Sequence, residues 1–340
     1  MITVSACMIV KNEERVLARC LDSLKGLVDE IILVDTGSTD GTKEIAKKYN
    51  CKIYDFKWID DFAAARNFSF SKAAMDYIFV ADADEVIDEV NREKFLTLKQ
   101  HLIPEIDIIQ MMYANQLEFN TTYNFDKEYR PKLFKRLRQF TWTDPIHETV
   151  MLDPVVYDSE IEILHMPENN HAVRDFDIFQ RLIQKGTAFS EKLISMYARE
   201  LFIAGEDKDF LTAESFFTGL LEQEVSEEVI KLIQCILVRC GRIKNDSELI
   251  LRYALKNIAT GKASAEVCYE VGEYFYNKDN IKEAVIWYMN AAFETDAELN
   301  IHYNKELPLE KIALCYEKAG NTEEANNYRE QAAALRESLM

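Results

Sequence analysis

The chain has 340 residues, 48% apolar and 29% charged, with a formal net charge of −19. That balance supports a packed core of about two domains. It excludes a general nucleic-acid binder, which needs a basic footprint.

Taken in order, Thr3 to Val10 reads as a buried strand, broken by Lys11-Asn12-Glu13-Glu14. These charges come too early for a secretory signal. No later run reaches the ~20 apolar residues of a membrane span. A soluble, cytoplasmic protein without an integral membrane segment is the expectation. The cysteines Cys7, Cys20, Cys51, Cys235, Cys240, Cys268 and Cys315 contain no Cys-x-x-Cys pair and read as reduced core thiols. From Arg15, the residues Val16, Leu17, Cys20, Leu21 and Leu24 fall at helical spacing, and Gly26 closes the helix. Glu30 to Val34 is a second strand, running into Asp35-Thr36-Gly37-Ser38-Thr39-Asp40-Gly41-Thr42, a small polar loop whose glycines let backbone approach a ligand. Thr39 or Asp40 is placed to cap a helix from Thr42 to Tyr49. Cys51 to Phe56 is a third strand. Phe62 to Ala74 is a helix with Asp60-Asp61 at its start, where acids suit the macrodipole.

The fourth strand, Tyr77 to Ala81, ends in Asp82-Ala83-Asp84-Glu85. A carboxylate is costly to bury without a compensating cation or hydrogen bonds. At the carboxyl end of a parallel strand, two such groups suit a hard divalent metal. Strands alternating with helices predict a mainly parallel sheet covered on both faces. On that sheet, Lys11 to Glu13, Asp35 to Asp40 and Asp82 to Glu85 share one rim, where open α/β sheets bind ligands.

The stretches Val4 to Glu14 (VSACMIVKNEE), Ile32 to Thr42 (ILVDTGSTDGT), Asp60 to Asn67 (DDFAAARN) and Ile78 to Glu85 (IFVADADE) together resemble glycosyltransferase family 2. The likeness is to a bacterial branch with a C-terminal tetratricopeptide-like domain, similar to the peptide S-glycosyltransferases of glycocin pathways and to lipopolysaccharide-core transferases. It implies a GT-A, Rossmann-like fold, a nucleoside-diphosphate sugar donor (a UDP-sugar), Mn2+ or Mg2+, and inversion at the anomeric carbon. On the matching positions, the loop Val10, Lys11, Glu13 contacts base and ribose, and Asp35 hydrogen-bonds the base. Many members carry Asp-Asp-Gly-Ser where this chain has Asp35-Thr36-Gly37-Ser38. Arg66 pairs with the diphosphate or a loop acid. Asp84 is the direct metal ligand. Asp82, with Ala83 beside it, reaches the ribose, the metal or its water.

Further on, Ile106 to Tyr113 and Glu118 to Tyr123 read as strands. Lys127, Arg130, Lys132, Lys135, Arg136 and Arg138 form a basic island, either a solvated strand edge or a wall of the cleft. In Asp144-Pro145-Ile146-His147-Glu148, the His-Glu pair resembles the family's acceptor-side loop, although the glycine many members have there is missing. An inverting transfer needs a base for the acceptor's proton. Glu148 is assigned that role, with Asp144 second and His147 orienting. Glu160 to Met166 is a strand whose His165 is a candidate metal ligand, suiting Mn2+ better than Mg2+, with His171 the alternative. A helix from Asp175 to Leu193 follows Arg174 and carries Arg181, both placed to reach back to the diphosphate.

The division is set at residues 1–195 and 196–340, the second part all-α. Tyr269 to Ala292 fits the tetratricopeptide template, with Val271, Gly272, Phe275, Ala284, Tyr288 and Ala291 at its small and large positions. Leu309 to Ala334 repeats it, more widely spaced than the ideal period of about 34 residues, which implies an insertion around Asp296 to Pro308. Three to four hairpins are expected in all. Such an array grips a peptide or protein acceptor, makes a homodimer contact, or serves as a buttress.

Overall fold

The computed structural model describes residues 1–114, 128–146, 148–150, 153–166 and 172–339, without the side chains of 172–174 and 338–339. It divides into two compact units, Met1–His171 and Ala172–Met340.

The first unit alternates as the sequence implies: β1 (Val4–Val10), α1 (Leu17–Leu24), β2 (Glu30–Asp35), α2 (Thr42–Lys48), β3 (Lys52–Asp55), α3 (Phe62–Phe70) and β4 (Tyr77–Val80). It continues through β5 (Glu85–Val86), α4 (Glu89–His101), β6 (Ile108–Ala114), β7 (Glu128–Lys135), β8 (Trp142–Thr143), β9 (Thr149–Val150) and β10 (Val156–His165). Among the described residues, eight strands form one sheet in the order β3-β2-β1-β4-β7-β6-β10-β5, and β8 and β9 pair separately. The first four strands of that order are mutually parallel, β7 runs against them, and β6 and β10 return to the parallel direction. Strand order reverses between β1 and β4, so a crevice opens where their carboxyl ends part.

Both faces of the sheet are buried, which accounts for the near-continuous apolar strands. In β1, Val4, Ala6, Met8 and Val10 join the cluster under α1, and Cys7 points into the opposite one with Ile32, Val34, Ile78 and Val80. All seven cysteines are free and six are buried.

Three sequence expectations change here. The basic island is not an edge, because β7 lies between β4 and β6. Its charges are spread out as separate ties: Lys135 to the Pro104 carbonyl, Arg136 to that of Met75 at 2.6 Å, and Arg138 to Asp107 at 3.3 Å. Helix α4 was not foreseen, because its buried residues are Asn91, Phe95 and Lys99 and no apolar stripe marks it. The helix expected from Asp175 to Leu193 is two helices, α5 (Ala172–Gln184) and α6 (Glu191–Ala204). Gly186, at φ +71°, takes the left-handed turn between them, and the Ser190 side chain caps α6 by accepting the Leu193 N–H at 3.2 Å. The Glu118–Tyr123 strand and Lys127 lie outside the described residues.

The second unit begins with α5, ahead of the 195/196 division. Its Phe179 ring stacks on Tyr197 of α6 at 4.4 Å, and Gln180 donates to the Tyr197 hydroxyl at 2.7 Å. Four helical hairpins follow among the described residues: α6 with α7 (Asp207–Leu220), α8 (Glu227–Lys244) with α9 (Ser247–Ile258), α10 (Ala265–Asn277) with α11 (Ile281–Met289), and α12 (Glu306–Lys318) with α13 (Thr322–Leu339). The small-against-large pairing holds, since a Cβ on Gly272 would sit 2.7 Å from the fully buried Tyr288 ring. The insertion before α12 is pinned by Glu266, whose carboxylate accepts the N–H groups of Glu298, Leu299 and Asn300 at 2.7–3.1 Å.

Candidate active site

The loops after β1 and β2 form one stitched rim. Asn12, at φ +57°, donates its N–H to Ser38 Oγ at 2.9 Å and accepts the Thr39 N–H at 2.8 Å. The Glu13 N–H reaches Thr42 Oγ1 at 2.8 Å, and Asp40 accepts from Thr42 N–H and hydroxyl at 3.0 and 2.5 Å. Lys11 is exposed and Glu13 half-buried. Val10 is core, and its carbonyl accepts the Thr36 N–H at 3.0 Å.

Asp35, expected to meet the base, is 1% exposed. Its carboxylate accepts the N–H groups of Gly37 and Ser38 at 3.1–3.2 Å and pairs with Lys43 at 3.1 Å. Burial works to raise its pKa, but the bonds from Ser38, Lys43 and Gly37 prevail and hold it below the usual carboxylate range. In this structure Asp35 shapes the loop.

Beyond β4, the Asp82–Glu85 turn closes on itself. The Glu85 N–H donates to the Asp82 carbonyl, and the Asp82 N–H to Glu85 Oε2, both at 3.2 Å. Ala83 is 6% exposed and packs into the core. Asp84 Oδ2 lies 3.3 Å from His165 Nε2, bringing together the ends of β4 and β10. The Met166 N–H holds the Asp84 carbonyl at 2.9 Å, and Arg19 holds the Met166 carbonyl at 2.8 Å. His165 Nδ1 is buried without a hydrogen-bond partner among the described residues. Burial raises and Lys132, Arg66 and His165 lower the Asp82 pKa, leaving it at about 2, so Asp82 is an anion. Burial pushes Glu85 up to about 7 despite Lys132 beside it.

Among the described residues, no group of three or more His, Cys, Asp or Glu is arranged to hold a metal ion. The residues present still fit one. Donor atoms 3.3 Å apart match two ligands each about 2.1 Å from a shared ion. A site that uses one or two carboxylates and completes itself with substrate phosphates and water needs no protein cage.

Helix α3 carries the other half of the site. Asp61 caps it by accepting the Ala64 N–H at 2.9 Å. Arg66 Nε and Nη2 both reach Glu148 Oε1, at 2.7 and 2.6 Å, and the guanidinium lies 5.0 Å from the Trp142 ring centroid. Arg66 therefore meets a loop acid, one of its two expected partners. Asn67 is the residue whose part the sequence did not assign. Its amide donates to the Trp142 carbonyl at 2.9 Å and accepts the Trp142 N–H at 2.8 Å. The Arg-Asn spelling was visible, but its partner is 75 residues away. Asp144 sits at φ +71°, a left-handed conformation that favours glycine, and the Pro145 carbonyl accepts the Phe62 N–H at 2.8 Å. His147, His171 and the Arg174 side chain lie outside the described residues. Arg181 lies on α5 in the second unit.

Residues 5–151 match the model of glycosyl transferase family 2. Over these residues the chain is similar to family 2 glycosyltransferases. It is 51% identical over 66% of its length to a TPR repeat-containing protein of Synechococcus elongatus, covering 53% of that protein. It is 30% identical over 47% of its length to an uncharacterized glycosyltransferase of Rickettsia typhi, covering 55% of that one. The match to glycosyltransferase SunS of Bacillus phage SPbeta is 36% over 44% of this chain and 35% of that protein. The chain thus spans about half the length, or less, of these relatives. The mainly parallel sheet followed by helical hairpins is the GT-A-plus-repeat architecture the resemblance implied. No helix among the described residues is long and apolar enough to cross a membrane.

Proposed function

We propose that this chain transfers a sugar from a nucleoside-diphosphate sugar, a UDP-sugar, to a Cys, Ser or Thr side chain of a peptide or protein in the cytoplasm. The observation that carries the reading is convergence. Asp82, Asp84, His165, Arg66 and Glu148 come from separate strands, a helix and a loop, and they gather by the β1/β4 crevice of a unit similar to family 2 glycosyltransferases.

In this reading Asp84 and His165 hold Mn2+ or Mg2+, with Asp82 at the metal or the ribose. The bound cation supplies positive charge against the departing diphosphate. Arg66 adds a second cation there, lying close enough to Asp82 to lower its pKa. Glu148 takes the acceptor's proton as the nucleophile attacks, with Asp144 second and His147 orienting it. Both bonds from Arg66 fall on Glu148 Oε1, so Oε2 is the oxygen assigned to the proton. Lys11 and Glu13 receive the nucleotide on the stitched rim. The helical unit binds the acceptor, and dimerisation through it is the alternative use of that surface.

The test offers the purified chain a panel of UDP-sugars with Mn2+ and unstructured peptides containing Cys, Ser or Thr. A hexose-sized mass increase on one side chain supports the reading. Transfer only to saccharide or lipid-linked acceptors, with none to peptide, overturns the acceptor class.

A further inference from the structure

Asp82, Asp84 and Glu85 crowd three acids into one turn, and what keeps that turn in shape lies outside it. Glu85 is 3% exposed and Lys132, on β7, is 4% exposed. Glu85 Oε1 pairs with Lys132 Nζ, and Glu85 Oε2 accepts the Asp82 N–H at 3.2 Å. One carboxylate therefore joins the central antiparallel strand to the backbone of the acidic loop. On β5, Glu85 stands opposite His165 of β10. Tyr113 of β6 completes the arrangement, its ring centroid 5.0 Å from that of His165 and 5.1 Å from Lys132 Nζ.

A buried lysine–glutamate pair rarely adds stability over an apolar pair of the same volume. Its use here is electrostatic and geometric. Without a countercharge, adjacent buried carboxylates repel one another. Arg66 forms its ion pair with Glu148, and Lys132 forms its own with Glu85 of the acidic loop.

We propose that Lys132 is a positioning residue of this site, acting through Glu85 to hold the Asp82-Ala83-Asp84 loop in the shape that presents its aspartates to a divalent cation. The assignment rests on the glycosyltransferase reading of the site. It does not place Lys132 on the substrate.

The test compares the full chain with Lys132→Met, Glu85→Gln and the double variant. Mn2+ affinity is read from the free-ion paramagnetic resonance signal, and backbone order from hydrogen exchange of the peptide covering residues 79–86. Each single variant is expected to bind Mn2+ about 10- to 100-fold more weakly and to exchange faster in that peptide, with peptides of β1 and β2 unchanged. Turnover of the UDP-sugar should recover at saturating Mn2+, so the apparent KM for the metal moves more than kcat. The double variant leaves no lone buried charge and should bind Mn2+ better than either single one. Glu85→Gln is nearly isosteric and keeps the test open if Lys132→Met folds poorly. Wild-type Mn2+ affinity and exchange in both single variants overturn the proposal. Mn2+ that binds wild type and Asp84→Ala equally overturns the metal reading instead, and the exchange data then decide separately whether Lys132 holds the loop.

Discussion

Replacing Arg66 by Met keeps an unbranched stem and removes the charged guanidinium. In the structure Arg66 and Glu148 are only 11% and 12% exposed, and both bonds are 2.7 Å or shorter. Removing one partner strands the other charge, for which about 3 kcal/mol is the low end of measured losses. The cation–π contact with Trp142 at 5.0 Å adds about 0.5–1 kcal/mol. For a unit of this size, each kcal/mol moves the melting midpoint by about 2–4 °C, so a combined loss of about 3.5–4 kcal/mol should make Arg66→Met melt roughly 7–16 °C lower. Tryptophan fluorescence reads this unit through Trp58 and Trp142 once Trp287 of the helical unit is changed to Phe. Arg66→Met with Glu148→Gln should recover at least half of the loss, because neither buried charge remains. If the two single losses simply add in the double variant, Arg66 and Glu148 do not act as a pair and this account of the helix-to-loop link is wrong.

Other consequences follow from single contacts. Asn67→Ala removes both bonds to Trp142 and should destabilise the unit by about 2 kcal/mol; kcat should fall while KM for the donor stays near wild type, as steady-state kinetics would show. Gly272→Ala should lower the melting point of the helical unit, since a rigid ring 2.7 Å from the new Cβ outweighs the gain in helix propensity; overpacking of this kind amounts to about 1–3 kcal/mol, and donor hydrolysis should be unchanged. Burial first, and Asp175 second, push the Glu200 carboxyl up to about 7. The folded chain then keeps a proton that the unfolded chain loses near its ordinary value of 4.5. That contribution is complete below 4.5 and is lost as pH rises through 7. Glu200→Gln should flatten this part of the stability profile in urea titrations from pH 4 to 8, and an unchanged slope would contradict the assignment.

The acidic loop, the Gly37–Gly41 loop and the first four strands were legible because a buried parallel strand is an unbroken apolar run that stops at polar residues. Helix α4 was not, since a helix that buries Asn91, Phe95 and Lys99 shows no apolar period. For a related reason strand β7 stayed open between an edge and a cleft wall: Lys132 and Arg130 do not reveal their partners Glu85 and Glu128 in the sequence. Within the site, residue types pointed to a metal and a base, and only the fold could join Arg66 to Glu148 across 82 residues. At Asp35 the residue type was legible in the sequence, while its bonds to Gly37, Ser38 and Lys43 came only with the fold.

The most direct measurement is release of UDP from a panel of UDP-sugars by the purified chain, with Mn2+ and after chelation, compared with Asp84→Ala. The account predicts turnover of at least one sugar that chelation abolishes and Mn2+ restores, reduced about 100-fold or more in Asp84→Ala. Equal turnover by wild type and Asp84→Ala, or turnover unaffected by chelation, would contradict it.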